Sequence, residues 1–182
     1  MIILASQSPR RQELLKYITT EFEIRVSDVD EALPDGISPS DAVLYLSSIK
    51  AKPFASGDDI VIGADTVVAL DGKILGKPKT TEEARQMLRF LSGREHSVFT
   101  GVTIANAEKS TSFAVETRVK FFDLTDDEIE RYIATGEPMD KAGAYGIQGY
   151  GSLLVESITG DYFNVVGLPI STLARKMISF SY

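Results

Sequence analysis

The chain has 182 residues, 43% of them apolar and 25% charged, which is enough to bury a core without covalent staples. It holds no cysteine and one histidine, so a disulfide framework, thiolate chemistry and a zinc site built on several Cys or His ligands are excluded. A net charge of −7 argues against a nucleic-acid binder, and a polyanionic small molecule would need a local cluster of cations.

In chain order, residues 2–5 read as a short buried strand. Ser8 suits an N-cap and Pro9 the first helical position, so a helix is expected to about Tyr17. "EFEIRVSDVDEAL" reads as a strand entering an acidic loop. "SPSDAVLYLSSIKAKPFA" reads as a helix capped by Ser38 or Ser40. In "DDIVIGADTVVALDGKILGKP", apolar β-branched runs flank Gly63-Ala64-Asp65-Thr66, and Asp71-Gly72 forms a tight hairpin turn. "TTEEARQMLRFLSG" is a helix with a Thr cap and Gly93 at its end. "HSVFTGVTIANAEKSTSFAVETRVKFF" gives two long strands. "LTDDEIERYIATG" is a helix with a Thr125–Glu128 capping box and a Gly136 stop. "DKAGAYGIQGYG" is irregular, a hairpin-like strand pair follows, and a last helix enters through Pro169. Hairpin and helical links alternate, so an α/β or α+β fold with a mixed sheet is expected, as one domain over 1–182. The N-terminus lacks a signal-peptide pattern and no stretch approaches a membrane span. A cytoplasmic protein is the simplest expectation.

Several features carry chemistry. Arg10 and Arg11 fall in the first turn of a helix, where cations are disfavoured by about 0.3–1 kcal/mol each. With Ser6, Ser8 and the helix amides they would bind a phosphate chain; the alternative is an ordinary capped helix with solvated arginines. Asp65 lies between apolar runs, which is costly for a carboxylate without a purpose. It reads as a metal ligand or general base at a strand end, or as a turn residue between two strands. The Gly-Ala before it would let the sheet bend and a ligand approach. Asp28, Asp30 and Glu31 would complete a Mg²⁺ shell with Asp65, or simply line a solvated loop. Lys77 lies in a stiffened "GKP", and the glycines around Asp140, Lys141 and Gln148 would admit a base or sugar. His96 reads as a strand residue with one satisfied hydrogen bond. Phe121, Phe122 and Tyr132 read as core. No P-loop or dinucleotide fingerprint occurs, which leaves carboxylates, lysines, arginines and amides, a set suited to Mg²⁺ and phosphate.

"LASQSPRRQELL", "DE" at 30–31, "LSSIKA", "IGADTVV", "GKP", "HSVFTGV", "GEPMDKAGAYGIQG" and "GDYFNVVGLP" stand in one order along the whole chain. In this the sequence resembles the Maf family, septum-formation-inhibitor-like nucleotide pyrophosphatases. One departure is Ser47, where many members carry Ala. The resemblance implies an α/β fold similar to inosine triphosphate pyrophosphatases, with an elongated mixed sheet, flanking helices and a cleft between two lobes. It implies cleavage of a nucleoside triphosphate to monophosphate and pyrophosphate with a divalent metal, Mg²⁺ or Mn²⁺, and by analogy a homodimer. Asp65 matches the family's catalytic aspartate and, with Glu31, its metal site. Arg11, Thr66 and Gln148 match positions that set base preference, in the pattern of a branch acting on dTTP and UTP rather than 7-methyl-GTP. On that reading Thr66 and Gln148 hydrogen-bond the pyrimidine. Ser6, Ser8, Arg10, Arg11, Lys50 and Lys77 would hold phosphates, and Asp140 and Lys141 fall on polar cleft positions. The competing reading is a non-catalytic nucleotide-binding regulator of cell division or septum formation.

Overall fold

The computed structural model describes residues 1–180, so the last two residues of the expected domain lie outside the described part. In chain order these residues form seven strands and six α-helices: β1 (Ile2–Ala5), α1 (Pro9–Leu15), β2 (Glu23–Ile24), α2 (Pro39–Ala51), β3 (Ile60–Leu70), β4 (Lys73–Leu75), α3 (Thr81–Leu91), β5 (Glu95–Ala105), β6 (Ser110–Phe121), α4 (Asp126–Ala134), β7 (Val155–Thr159), α5 (Tyr162–Val166) and α6 (Ile170–Met177). The strands form one mixed sheet in the order β2-β1-β3-β5-β6-β7, with β4 also on β3. β1 runs parallel to β2 and β3, and the other pairings are antiparallel. The mixed α/β class expected from the alternating links is what forms.

Caps explain most helix boundaries. Ser38, Thr80 and Thr125 each accept a backbone N–H at their helix starts, and Thr125 with Glu128 completes the capping box. Ser8 stands at the N-cap of α1 but its side chain makes no capping bond; instead the Ser8 N–H donates to Ser6 Oγ at 3.3 Å. α1 stops at Leu15, short of Tyr17, and α2 stops at Ala51 before a 3₁₀ turn through Pro53, whose missing N–H cannot continue the helix.

Three expectations need correction. "EFEIRV" contributes only Glu23 and Ile24 to the sheet. After β7 no second strand follows, because Asp161 caps a short helix by accepting from the Phe163 and Asn164 N–H groups, which outweighs the β preference of Val165 and Val166. Phe121 and Tyr132 are core, but Phe122 is 49% exposed, since successive side chains at the end of β6 face opposite ways.

Side-chain alternation in β3 divides the molecule. Its odd-numbered side chains face α2. Gly63 and Gly101 sit on that face, and a Cβ on either would come within 2.2 Å of a backbone oxygen of α2, Ser47 O or Val43 O. Gly63 therefore makes room for a helix, not for a bend or a ligand. The hydroxyl of Ser47 donates to Leu44 O and bonds Thr103 Oγ1, so it is satisfied although buried. On the even-numbered face, Ile62 and Ala64 join one apolar cluster with α1, α5 and α6, and Val68 joins a second with α3 and α4. Thr66 falls between the two clusters. With Thr100, Thr117 and Asn164 it forms a polar seam across the sheet.

Candidate active site

The site opens where an edge of β3 is interrupted. Along one side β3 pairs with β5 from Val61 to Ala69. Along the other, β1 ends at Ala5 opposite Gly63, and β4 reaches only to Leu75 opposite Val68. Residues 64–67 have no strand beside them on that edge. A cavity of about 680 Å³ lies there, within the range of small-molecule sites. Its walls come from both faces of the sheet: Leu46 and Lys50 of α2 on one, Arg11 and Val166 on the other.

Of the side chains singled out in the sequence, Ser6, Ser8, Thr66 and Gln148 line the cavity together with eight charged ones, while Asp28 and Asp30 do not. Five are cations, Arg10, Arg11, Lys50, Lys77 and Lys141, against three carboxylates, Glu31, Asp65 and Asp140. A cleft of positive balance in a chain of net −7 suits an anionic ligand. Lys77 follows β4, Ser6 and Ser8 follow β1 and Arg10 lies in the first turn of α1, so the interruption in the sheet brings the two stretches to one place.

Asp65 is neither at a strand end nor in a turn; it is the sixth residue of an eleven-residue strand, carried on by β-branched Thr66, Val67 and Val68. Its carboxylate finds its countercharge on α2. Lys50 Nζ lies 2.5 Å from Asp65 Oδ1 and 3.1 Å from Glu31 Oε2, and the Lys50 and Asp65 side chains are only 16% and 14% exposed. Of the three acids in the loop after β2 only Glu31 lines the cavity; Asp30 instead accepts from the Ala32 N–H within its own turn. Among the described residues no group of three or more His, Asp or Glu side chains gathers to hold a metal. Mg²⁺ often takes one or two carboxylates and fills its shell with water and substrate phosphate. Asp65 and Glu31, drawn together by one ammonium, fit an ion that arrives with a phosphate chain.

Arg11 is committed within the protein. Its guanidinium donates to Gly167 O (2.8 Å), Ser6 Oγ (3.2 Å) and Thr66 Oγ1 (3.0 Å). Burial lowers its pKa, an effect that Asp65 opposes, and an arginine stays charged regardless. The cation in the first turn of α1 is thus compensated by a carbonyl and two hydroxyls. Counting protons fixes the polarity of Thr66. Thr100 donates its one hydroxyl proton to Asn164 O (2.9 Å), so in the 2.8 Å contact between the two threonines Thr66 is the donor. The Thr66 hydroxyl has therefore given away its proton and accepts from Arg11.

Gln148 is exposed at the rim. Glu137, which attracted no attention in the sequence, holds its loop. The Glu137 carboxylate accepts from Tyr132 OH (2.9 Å), Tyr150 N (3.0 Å) and Gly151 N (3.0 Å). Tyr132 OH in turn accepts from Gly146 N (3.2 Å). The available signal was an acid directly after the Gly136 helix stop. Lys141 is tied to Glu137 O and Asp140 Oδ1, and its stem packs against Gly146. His96 lies behind the cavity wall, 2% exposed, with Nε2 2.6 Å from the hydroxyl of the lining Tyr145 and Nδ1 unpartnered. Burial pushes its pKa down to about 4, so it is neutral at pH 7.

A mixed α/β domain with a cation-rich cleft and a paired aspartate at its centre is a small-anion site of the kind that serves phosphate chemistry. The profile of the family described as "Maf-like protein" matches residues 1–180, and the chain belongs to the Maf family. It is 51% identical over 181 residues to a Bacillus cereus protein named dTTP/UTP pyrophosphatase, covering 98% of this chain and 95% of the relative. A Bacillus mycoides protein of the same name matches with the same identity and coverage. Among solved structures, the Staphylococcus aureus Ham1 protein aligns with a TM-score of 0.46 at 18% identity, over 67% of this chain and 72% of that one. No helix among the described residues is long and apolar enough to cross a membrane.

Proposed function

We propose that this chain hydrolyses dTTP and UTP to the nucleoside monophosphate and pyrophosphate, as a cytoplasmic enzyme. The observation that carries the reading is the Asp65–Lys50–Glu31 group set among cations in an interrupted sheet edge. The names of relatives about half identical along nearly the whole chain support it.

The triphosphate lies against Arg10, Lys77 and the Ser6–Ser8 turn, whose charges and donors meet its oxygens. Water attacks the α-phosphorus. A new P–O bond forms, the bond from that phosphorus to the bridging oxygen breaks, and pyrophosphate leaves with that oxygen. Asp65 takes the proton of the water. Lys50 holds only one oxygen of the Asp65 carboxylate, and the other is the base. Lys77 and Arg10 stabilise charge on the leaving pyrophosphate. Asp65 and Glu31 would hold a divalent cation, Mg²⁺ or Mn²⁺, which when bound lowers the pKa of water and offsets phosphate charge.

The test is pyrophosphate release from dTTP, UTP, CTP, GTP and 7-methyl-GTP, with Mg²⁺, Mn²⁺ or EDTA. Release that is fastest for dTTP and UTP and abolished by EDTA is expected. Nucleotide binding without release from any of them would replace this reading with that of a non-catalytic regulator. Sedimentation would decide whether the chain forms the homodimer expected by analogy.

A further inference from the structure

The interruption in β3 does more than make room. Hydrogen bonding along a strand alternates from edge to edge, so one residue in two turns its N–H and C=O to a given side. The Ile60 N–H donates to Met1 O, which sets the even-numbered residues of β3 toward the β1 side. The two-residue hairpin at Asp71-Gly72 sets Leu70 opposite Lys73 and requires the same parity. Thr66 is even-numbered and lies in the middle of the unpaired stretch. Its N–H and C=O both face the cavity, and among the described residues no strand stands opposite them.

We infer that the main chain of Thr66 reads the base, accepting the ring N3–H of uracil or thymine through its C=O and donating its N–H to the adjacent ring carbonyl. This rests on the proposed action on nucleoside triphosphates and names the edge that such a substrate presents. A side-by-side donor and acceptor on one extended residue matches a lactam, in which N–H adjoins C=O. It mismatches cytosine, which places an acceptor at N3 and an amine at C4. The hydroxyl of Thr66 cannot rescue cytosine by donating to N3, because its proton goes to Thr100. A contact on the lactam edge leaves the 5-position unread, which allows uracil and thymine alike. Guanine carries the same edge on a larger ring, so ring size is set elsewhere in the cleft. Asp65 and Thr66 point to opposite faces of the sheet, and the gap between β1 and β4 lets one ligand touch both.

The experiment compares UTP, CTP and 3-methyl-UTP, in which a methyl group replaces the N3 proton, on the full-length chain and on Thr66→Val. Both poor-edge nucleotides are expected to lose tenfold or more in kcat/KM through KM, the size of a donor or acceptor left unpaired. The ratio should persist in Thr66→Val, which removes the hydroxyl and keeps the main chain. Equal kcat/KM for all three overturns the inference, as does a ratio that collapses in Thr66→Val. If no nucleotide is turned over, the pyrophosphatase reading fails by itself. Calorimetric binding of the same three nucleotides to the natural chain then decides the inference: tenfold weaker binding of CTP and 3-methyl-UTP upholds it and equal binding overturns it. That comparison also serves should Thr66→Val not fold.

Discussion

Removing the Glu137 carboxylate would release three donors at once, the Tyr132 hydroxyl and the N–H groups of Tyr150 and Gly151. Tyr132 and Gly151 are buried, so their groups would stay unsatisfied rather than turn to water. Glu137→Ala should cost about 2 kcal/mol in a urea titration. Because the freed segment carries Gln148, the KM for UTP should rise about tenfold with kcat nearly unchanged. A loss confined to kcat would place Glu137 in the chemistry instead. Asp65→Asn differs in kind. It keeps the shape and removes the proposed base, so kcat should fall at least a hundredfold while nucleotide binding, followed by calorimetry, survives. The sequence makes Asp65 conspicuous as a charge among apolar neighbours. Of Glu137 it offers only an acid after a helix stop, because its partners, a hydroxyl and two amides, are brought to it by a loop; the Thr66–Thr100 proton order exists only once two strands are in register.

Among the elements, α2 fixes Lys50 against Asp65, and it can do so because two glycines in adjacent strands let it sit close. Gly101→Ala would drive a Cβ to 2.2 Å from Val43 O. A backbone atom cannot swing aside, so the helix must lift. A loss of about 2–3 kcal/mol in unfolding free energy is expected, with a larger fractional loss of activity than of stability as Lys50 withdraws. A variant as stable and active as the natural chain would show that α2 is not held by this contact. The helices α3 and α4 were legible because a threonine cap, early acids and a terminal glycine all agree. α5 was not, since five residues with two valines read as strand until the Asp161 cap is seen bonding two amides. Asp65, Arg10, Lys77 and Lys141 stand out as candidates from their residue types and neighbours, and only the order of the motifs suggests that they act as one group. The site's geometry was not legible, because the gap in β3 depends on where β1 and β4 stop, and no residue within β3 marks that.

At the scale of the molecule, a polar seam runs between two apolar clusters, and the Phe121 and Tyr145 rings of the second pack against the buried imidazole of His96. His96 has a folded pKa near 4 against about 6.5 when unfolded. Between these values the unfolded chain binds more protons, so stability falls as the pH falls. The contribution is complete above about pH 6.5 and is lost progressively toward pH 4. It amounts to about 3 kcal/mol. His96→Phe keeps the ring contacts with Phe121 and Tyr145 but has no proton to take up. Its unfolding free energy should lose about 3 kcal/mol less than that of the natural chain between pH 6.5 and pH 4. Parallel profiles would mean that His96 is protonated in the folded state.

In the proposed reaction water attacks the α-phosphorus with Asp65 as base. Hydrolysis of UTP in ¹⁸O-labelled water, with the products separated and weighed by mass spectrometry, shows which phosphorus is attacked. One labelled oxygen in UMP, none in pyrophosphate, and no labelled product above background from Asp65→Asn is the predicted result. Label in pyrophosphate or in inorganic phosphate, or an Asp65→Asn variant that labels UMP as fast as the natural chain, would contradict it.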